Sequence, residues 1–185
     1  MAQGPWWRVV EAFCDMSHSS KGRSLFSWLL VLMVIIAIQS FRSSGLATGD
    51  APPIQGLMVT GEQFSGVQSL QKPALIYVWG SWCGICRLMQ GSVSRLSSEV
   101  PMVTVALQSG RSAEVTAYMN AHEFKVPVVL DPDGVISRSY GVKAVPALFF
   151  LDTDGKIVSA TTGYTTYLGI RLRLWLAQDF RQPIQ

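Results

Sequence analysis

Apolar residues are spread unevenly along the 185 positions of this chain, and their spacing divides it into segments. The densest run, LFSWLLVLMVIIAI from Leu25 to Ile38, is apolar on every side, and no charge falls between Ser24 and Phe41. As a helix, those positions extend about 27 Å, close to a hydrocarbon core of about 30 Å. Residues 24–41 therefore read as a transmembrane anchor rather than a buried globular helix. The following stretch, 42–53, is rich in Ser, Gly, Ala, Thr and Pro and reads as a tether, with the folded domain (54–185) expected from Ile54 onward. Two short apolar runs, ALIYVWG (Ala74 to Gly80) and MVTVAL (Met102 to Leu107), predict buried central strands. Between them Ile85, Leu88, Met89, Val93 and Leu96 recur at helical spacing, which makes a βαβ unit with parallel strands. A second helix is predicted over SAEVTAYMNAHEF, capped by Ser112, with Val115, Tyr118 and Met119 on one face. A strand over Val126 to Leu130, a turn at DPDG and a brief helix from Ile136 to Tyr140 follow. ALFFLD and KIVSAT, joined by DTDG, predict a hairpin whose first strand is buried on both faces, and Thr165 to Gln178 predicts a closing helix. The fold class is α/β.

Charge adds orientation. Arg8, Lys21 and Arg23 precede the apolar run and only Arg42 lies close behind it, so the leader (1–23) is expected in the cytoplasm and the domain outside. In a bacterium this is a single-pass inner-membrane protein with a periplasmic domain, a compartment where disulfides persist. A cleaved signal peptide is the alternative, but Gln39, Phe41 and Arg42 make a poor cleavage context. The leader carries Trp6, Trp7, Val10 and Phe13 and could lie on the membrane surface, and Met16 would serve equally well as a start. Cys14 falls on the opposite side of the membrane from the other two cysteines; it is expected to have no role, with acylation as the alternative. A net charge of +3 without a long basic run gives no case for nucleic-acid binding.

The candidate chemistry lies in YVWGSWCGICR, where Cys83 and Cys86 stand two residues apart as a strand gives way to a helix. A sulfur at a helix N-terminus meets unpaired N–H groups and the positive end of the macrodipole, which favours the thiolate and makes Cys83 the attacking group. Cys86, one turn on, is positioned to resolve a mixed disulfide. A structural disulfide at this spacing closes too small a loop to stabilise much. Metal binding is the rival: two thiolates suit Cu(I), whereas a closed zinc site needs four ligands and the domain adds only His122, which reads as a helix-end residue. A second motif, GVKAVPALFFLD, sets Val145-Pro146 immediately before a buried strand, where a proline is tolerated and a cis bond would turn the chain sharply.

With WCGIC followed by GVKAVPALFFLD, the chain resembles the thioredoxin superfamily over about Ile54 to Gln178. The resemblance implies a thioredoxin fold with Cys83 as nucleophile, Cys86 as resolving thiol and Val145-Pro146 as a substrate-docking loop. Cys86 and Pro146 are 60 positions apart, longer than in a minimal thioredoxin by about one helix and one strand. That central insert looks like the TlpA, ResA and DsbE group of membrane-tethered bacterial thiol–disulfide oxidoreductases, and within it like the ScsD-type proteins associated with suppression of copper sensitivity. Tyr77 replaces the buried Asp frequent six positions before the first cysteine. Ala147 and Met89 stand where cytochrome-maturation members carry Glu, which argues against a haem-pathway role, and Gly91 stands where a helical Pro is common. The Thr/Pro-x-x-x-Thr/Ser-x-x-Cys context of peroxidases is absent. By this resemblance a rim of Trp82, Gly84, Ile85, Val145 and Pro146 meets a partner protein, with Trp79 in the core. The expected partners are protein thiols or disulfides and a transmembrane or periplasmic electron donor or acceptor. No cofactor or metal is expected beyond a redox-active Cys83–Cys86 disulfide, the alternative being a Cu(I)-binding module built on the same pair.

Overall fold

The computed structural model describes residues 27–34, 45–64, 66–70 and 73–179. Of the N-terminal stretch, residues 27–34 are helical and every one is exposed. The rest of the expected span, the leader with Cys14, Lys21 and Arg23, and Arg42 lie outside the described residues. No helix among the described residues is long and apolar enough to cross a membrane.

From Gly45 onward the chain forms a unit of its own. Its strands are β1 (Gly49–Asp50), β2 (Gly56–Leu57), β3 (Gln63–Phe64), β4 (Ala74–Trp79), β5 (Met102–Leu107), β6 (Val128–Asp131), β7 (Ala147–Leu151) and β8 (Lys156–Thr162). Its helices are α1 (Gly84–Ser97), α2 (Ser112–Ala121), α3 (Val135–Ser139) and α4 (Tyr167–Asp179). The main sheet has the order β1-β8-β7-β4-β5-β6, while β2 and β3 pair separately. β4 runs parallel to β5 and β5 to β6, as helical crossovers require, and β7 is antiparallel to β4 and β8.

The sheet is buried on both faces, and the two-residue period of the strands divides their side chains between two cores. Leu75, Tyr77 and Trp79 of β4 join Leu148 and Phe150 of β7 on one face, against Met89, Val93 and Leu96 of α1 and Ile170 and Leu174 of α4. Ala74, Ile76 and Val78 join Phe149 and Leu151 on the other, against Ile54, Ile136 and Tyr140. Continuous apolar runs in β4, β5 and β7 follow from this three-layer arrangement.

The structure shifts several boundaries read from the sequence. Residues 45–53, the described part of the stretch 42–53, do not form a bare tether. Leu46 is buried, the Ala47 N–H donates to Tyr140 O (3.0 Å), and β1 pairs with β8 through Gly49 and Asp50. The Tyr140 hydroxyl donates to Pro52 O at 2.7 Å. Gly141 makes this close pass possible: at φ 69°, a Cβ there would stand 1.9 Å from Gly45 O. The strand expected over Val126 to Leu130 begins at Val128, because Pro127 has no N–H to donate, although its carbonyl still accepts the Thr104 N–H (2.9 Å). Ser112 is not the cap of α2. Arg111 is, with the Glu114 carboxylate accepting its backbone N–H, and the Ser112 hydroxyl donates instead to Val59 O at 2.7 Å. The brief helix α3 starts at Val135, with Gly134 as its N-cap, and Asp131 at the end of β6 satisfies its first turn: the carboxylate accepts the N–H groups of Ile136 (3.1 Å) and Ser137 (2.8 Å) and the Ser137 hydroxyl (2.6 Å).

Candidate active site

At the C-terminal end of β4 the chain leaves the sheet through Gly80 and Ser81 and enters α1 with Cys83 as its N-cap. Cys83 has extended backbone (φ −91°, ψ 107°), as an N-cap requires, and its carbonyl accepts the Arg87 N–H at 3.2 Å. Its sulfur takes the role that an N-cap oxygen usually fills, accepting the Cys86 N–H at 3.1 Å. Cys83 and Cys86 form a disulfide, with Cα atoms 5.2 Å apart. Access differs between them: Cys83 retains 7 % of its surface and Cys86 only 1 %, so an incoming thiolate meets Cys83.

The Val145-Pro146 peptide is cis, and Val145 O lies 3.7 Å from the Cys83 sulfur. Pro146 is buried at the start of β7 and is anchored by its carbonyl, which accepts the Gly163 N–H at 2.8 Å. Thus two stretches 62 residues apart in sequence meet at one sulfur. Trp82 is 59 % exposed, and its indole N–H donates to Leu107 O at 3.3 Å. Gly84 and Ile85 lie exposed on the first turn of α1, with open space around Gly84. Trp79 is core: its indole N–H donates to the Thr104 hydroxyl (3.1 Å), and its ring packs on Tyr118 and Phe124. His122 ends α2, stacked on Tyr118 with Nδ1 2.9 Å from Tyr118 O. Among the described residues, no group of three or more His, Cys, Asp or Glu is arranged to hold a metal.

Several participants have no motif to announce them. Gly80 lets the indole of Trp82 fold back on the backbone, since a Cβ there would stand 2.6 Å from Trp82 Cε2. Ser109 is buried, accepts the Ser81 N–H at 2.9 Å and donates to Leu107 O at 3.0 Å, tying the end of β5 to the cysteine loop. Beneath the site Tyr77 is fully buried, its hydroxyl has no hydrogen-bond partner among the described residues, and burial, with Tyr118 nearby, pushes its pKa well above the usual phenol range. Gly80 stands inside YVWGSWCGICR, where a glycine between two tryptophans marks a close approach, whereas no local pattern marks Ser109 or the Tyr77 hydroxyl.

The AhpC/TSA family model matches residues 48–160. A thioredoxin-like protein of Haemophilus influenzae is 34 % identical over 162 residues, covering 86 % of this chain and 94 % of its own. The thiol–disulfide oxidoreductase ResA of Bacillus subtilis is 27 % identical over 160 residues, covering 79 % of this chain and 89 % of its own. A secreted Mycobacterium tuberculosis disulfide oxidoreductase superposes with a TM-score of 0.57 at 23 % identity, over 67 % of this chain and 96 % of its own. At that identity the likeness speaks for the fold, which is the thioredoxin fold.

Proposed function

The chain belongs to the AhpC/TSA family and is a thiol–disulfide oxidoreductase, and from that premise we propose that it exchanges disulfides with the cysteines of other proteins, Cys83 attacking and Cys86 resolving. The observation that carries this assignment of roles is the disulfide at the N-terminus of α1, whose more accessible residue is Cys83. In the oxidising direction, a substrate thiolate attacks the Cys83 sulfur and the Cys83–Cys86 bond breaks, leaving Cys86 as thiolate. A second substrate thiolate then attacks the mixed disulfide and releases Cys83. Two electrons and two protons pass to the enzyme, and the reverse sequence reduces a substrate disulfide. During either sequence the amide of Cys86 stabilises charge on the departing or attacking Cys83 sulfur. Trp82, Gly84, Ile85 and Val145 form the surface that receives the partner, with Pro146, itself buried, fixing the turn of that segment, and no cofactor or metal takes part.

The anchor at residues 24–41, the periplasmic setting and an ScsD-type role in copper tolerance complete this reading. Its support is the uncharged apolar run, the basic residues ahead of it and the sequence resemblance. A membrane or periplasmic protein then supplies or accepts the electrons. The deciding experiment is turnover of a disulfide-containing protein by the full chain. Cys83→Ser is expected to abolish exchange, whereas Cys86→Ser is expected to accumulate a mixed disulfide through Cys83 that a non-reducing gel detects. Turnover retained by Cys83→Ser overturns the assignment.

A further inference from the structure

Beside the disulfide lies a groove of about 250 Å³ lined by Trp82, Leu107, Arg138 and the Val142 to Val145 segment. Val145, whose carbonyl lies 3.7 Å from Cys83 Sγ, and Trp82, the residue before Cys83, both line it, so it adjoins the reactive sulfur. Leu107 and Val142 give it apolar surface, while its rim carries two exposed cations, Arg138 and Lys143. Neither forms an ion pair among the described residues, where both salt bridges use Glu99. Asp133 gives Arg138 only its backbone carbonyl, at 2.7 Å. Asp131 is buried, and its carboxylate is occupied by Ile136 and Ser137. Two unneutralised positive charges therefore border the path by which a partner reaches Cys83, and they favour a partner bearing negative charge.

We propose that this groove selects substrate segments carrying an acidic side chain two or three residues from the reacting cysteine, read by Arg138 and Lys143; the inference rests on the exchange activity proposed above. The distance follows from chain geometry. Lys143 is two residues from Val145, so an extended substrate running alongside this segment at about 3.3 Å per residue sets a Glu two or three residues from its cysteine level with Lys143. An apolar neighbour on Trp82 and Val145 supplies contact, and the carboxylate supplies discrimination. Because the cations are exposed, the effect falls mainly on encounter rate and weakens with salt.

The test uses the full chain, reduced beforehand, and three synthetic peptides that are identical except for Glu, Gln or Lys two residues on either side of a single cysteine. Each peptide is supplied as its symmetric disulfide. The Cys83 thiolate attacks one peptide sulfur and expels a peptide thiolate, and Cys86 then releases the second as the Cys83–Cys86 disulfide re-forms. The peptide disulfide is reduced to two thiols and the protein is oxidised by the same two electrons. Quench and alkylation give the rate. At low ionic strength the Glu peptide is expected to react about tenfold faster than the Gln peptide and the Lys peptide more slowly still. The ratios should shrink toward one at high salt and in the R138Q/K143Q double variant, with K143Q alone intermediate. Equal rates for the three peptides, or a preference that survives in the double variant, overturn the groove assignment while leaving the exchange activity standing. Oxidised glutathione reacting more than tenfold faster than the Glu peptide also overturns it, in favour of a small anionic disulfide. Failure of every disulfide to oxidise the reduced chain overturns the exchange activity and this inference with it.

Discussion

Cys83 and Cys86 differ by one helical turn and by access, and that difference distributes their roles. Cys83 caps α1 and is the more accessible, while Cys86 is sealed against the core beside Met89. These two residues were legible because thiol exchange demands two sulfurs within bonding reach at a helix start, a constraint that a short motif expresses. Tyr77 was legible as a strand residue standing where a buried Asp is frequent, but its unpaired hydroxyl was not. Its buried hydroxyl lacks a partner among the described residues, a situation that penalises the folded state. Tyr77→Phe is therefore expected to raise stability by about 1 kcal/mol, measured by urea unfolding. A loss of stability on that change would mean that the hydroxyl is satisfied in the folded protein. The roles of Gly80 and Ser109 escaped sequence reading for a shared reason: each is defined by a contact, with the Trp82 indole or the Ser81 amide, rather than by a local pattern.

Elements were legible where their burial is uniform or their period clear. β4, β5 and β7 declared themselves as apolar runs because helices or loops cover both faces of the sheet. The start of α2 did not, because its capping depends on Glu114 reaching back while Ser112 turns away to Val59. A clasp between the end of α1 and α4 is also invisible in sequence. Glu99 accepts the Tyr167 hydroxyl (2.9 and 2.8 Å) and pairs with Arg171 (2.8 Å) and Arg95 (3.2 Å). The Tyr167 hydroxyl, followed by Arg95 and Arg171, holds the Glu99 carboxyl below its usual range despite some desolvation. A carboxylate whose folded pKa is depressed stabilises the fold above its unfolded pKa, and that contribution is lost as pH falls through the folded value. Wild type is thus expected to exceed Glu99→Gln in stability at neutral pH by the small amount typical of an exposed pair. Thermal-melt curves for the two should converge as pH drops through and below the ordinary carboxylate range. A difference independent of pH would remove the carboxylate's charge from the explanation.

On the scale of the whole molecule, the domain begins earlier than its composition suggests. A chain starting at Gly45 keeps buried Leu46, the β1–β8 pairing and the Pro52 carbonyl that satisfies Tyr140; one starting at Ile54 loses all three. Truncation to Ile54 is expected to lower stability by about 3 kcal/mol relative to truncation to Gly45, from the lost apolar burial and hydrogen bonds. Equal denaturation midpoints for the two would return 45–53 to the status of a tether. The misreading has a physical source, since β1 is held through backbone groups that any composition can offer, and no side-chain pattern reports it. By itself the sequence determined the strands with uniform apolar burial, the helix after the cysteines, the α/β class and the pair itself, because local periodicity and thiol spacing are short-range properties. Only the tertiary structure decided that Val145 lies against Cys83, that Trp82 folds over Gly80, and that Arg138 and Lys143 border the approach to the disulfide. The first and last of those relations join residues distant in sequence and exist only once the sheet has set β4 between β5 and β7, while the second depends on how the chain turns between β4 and α1.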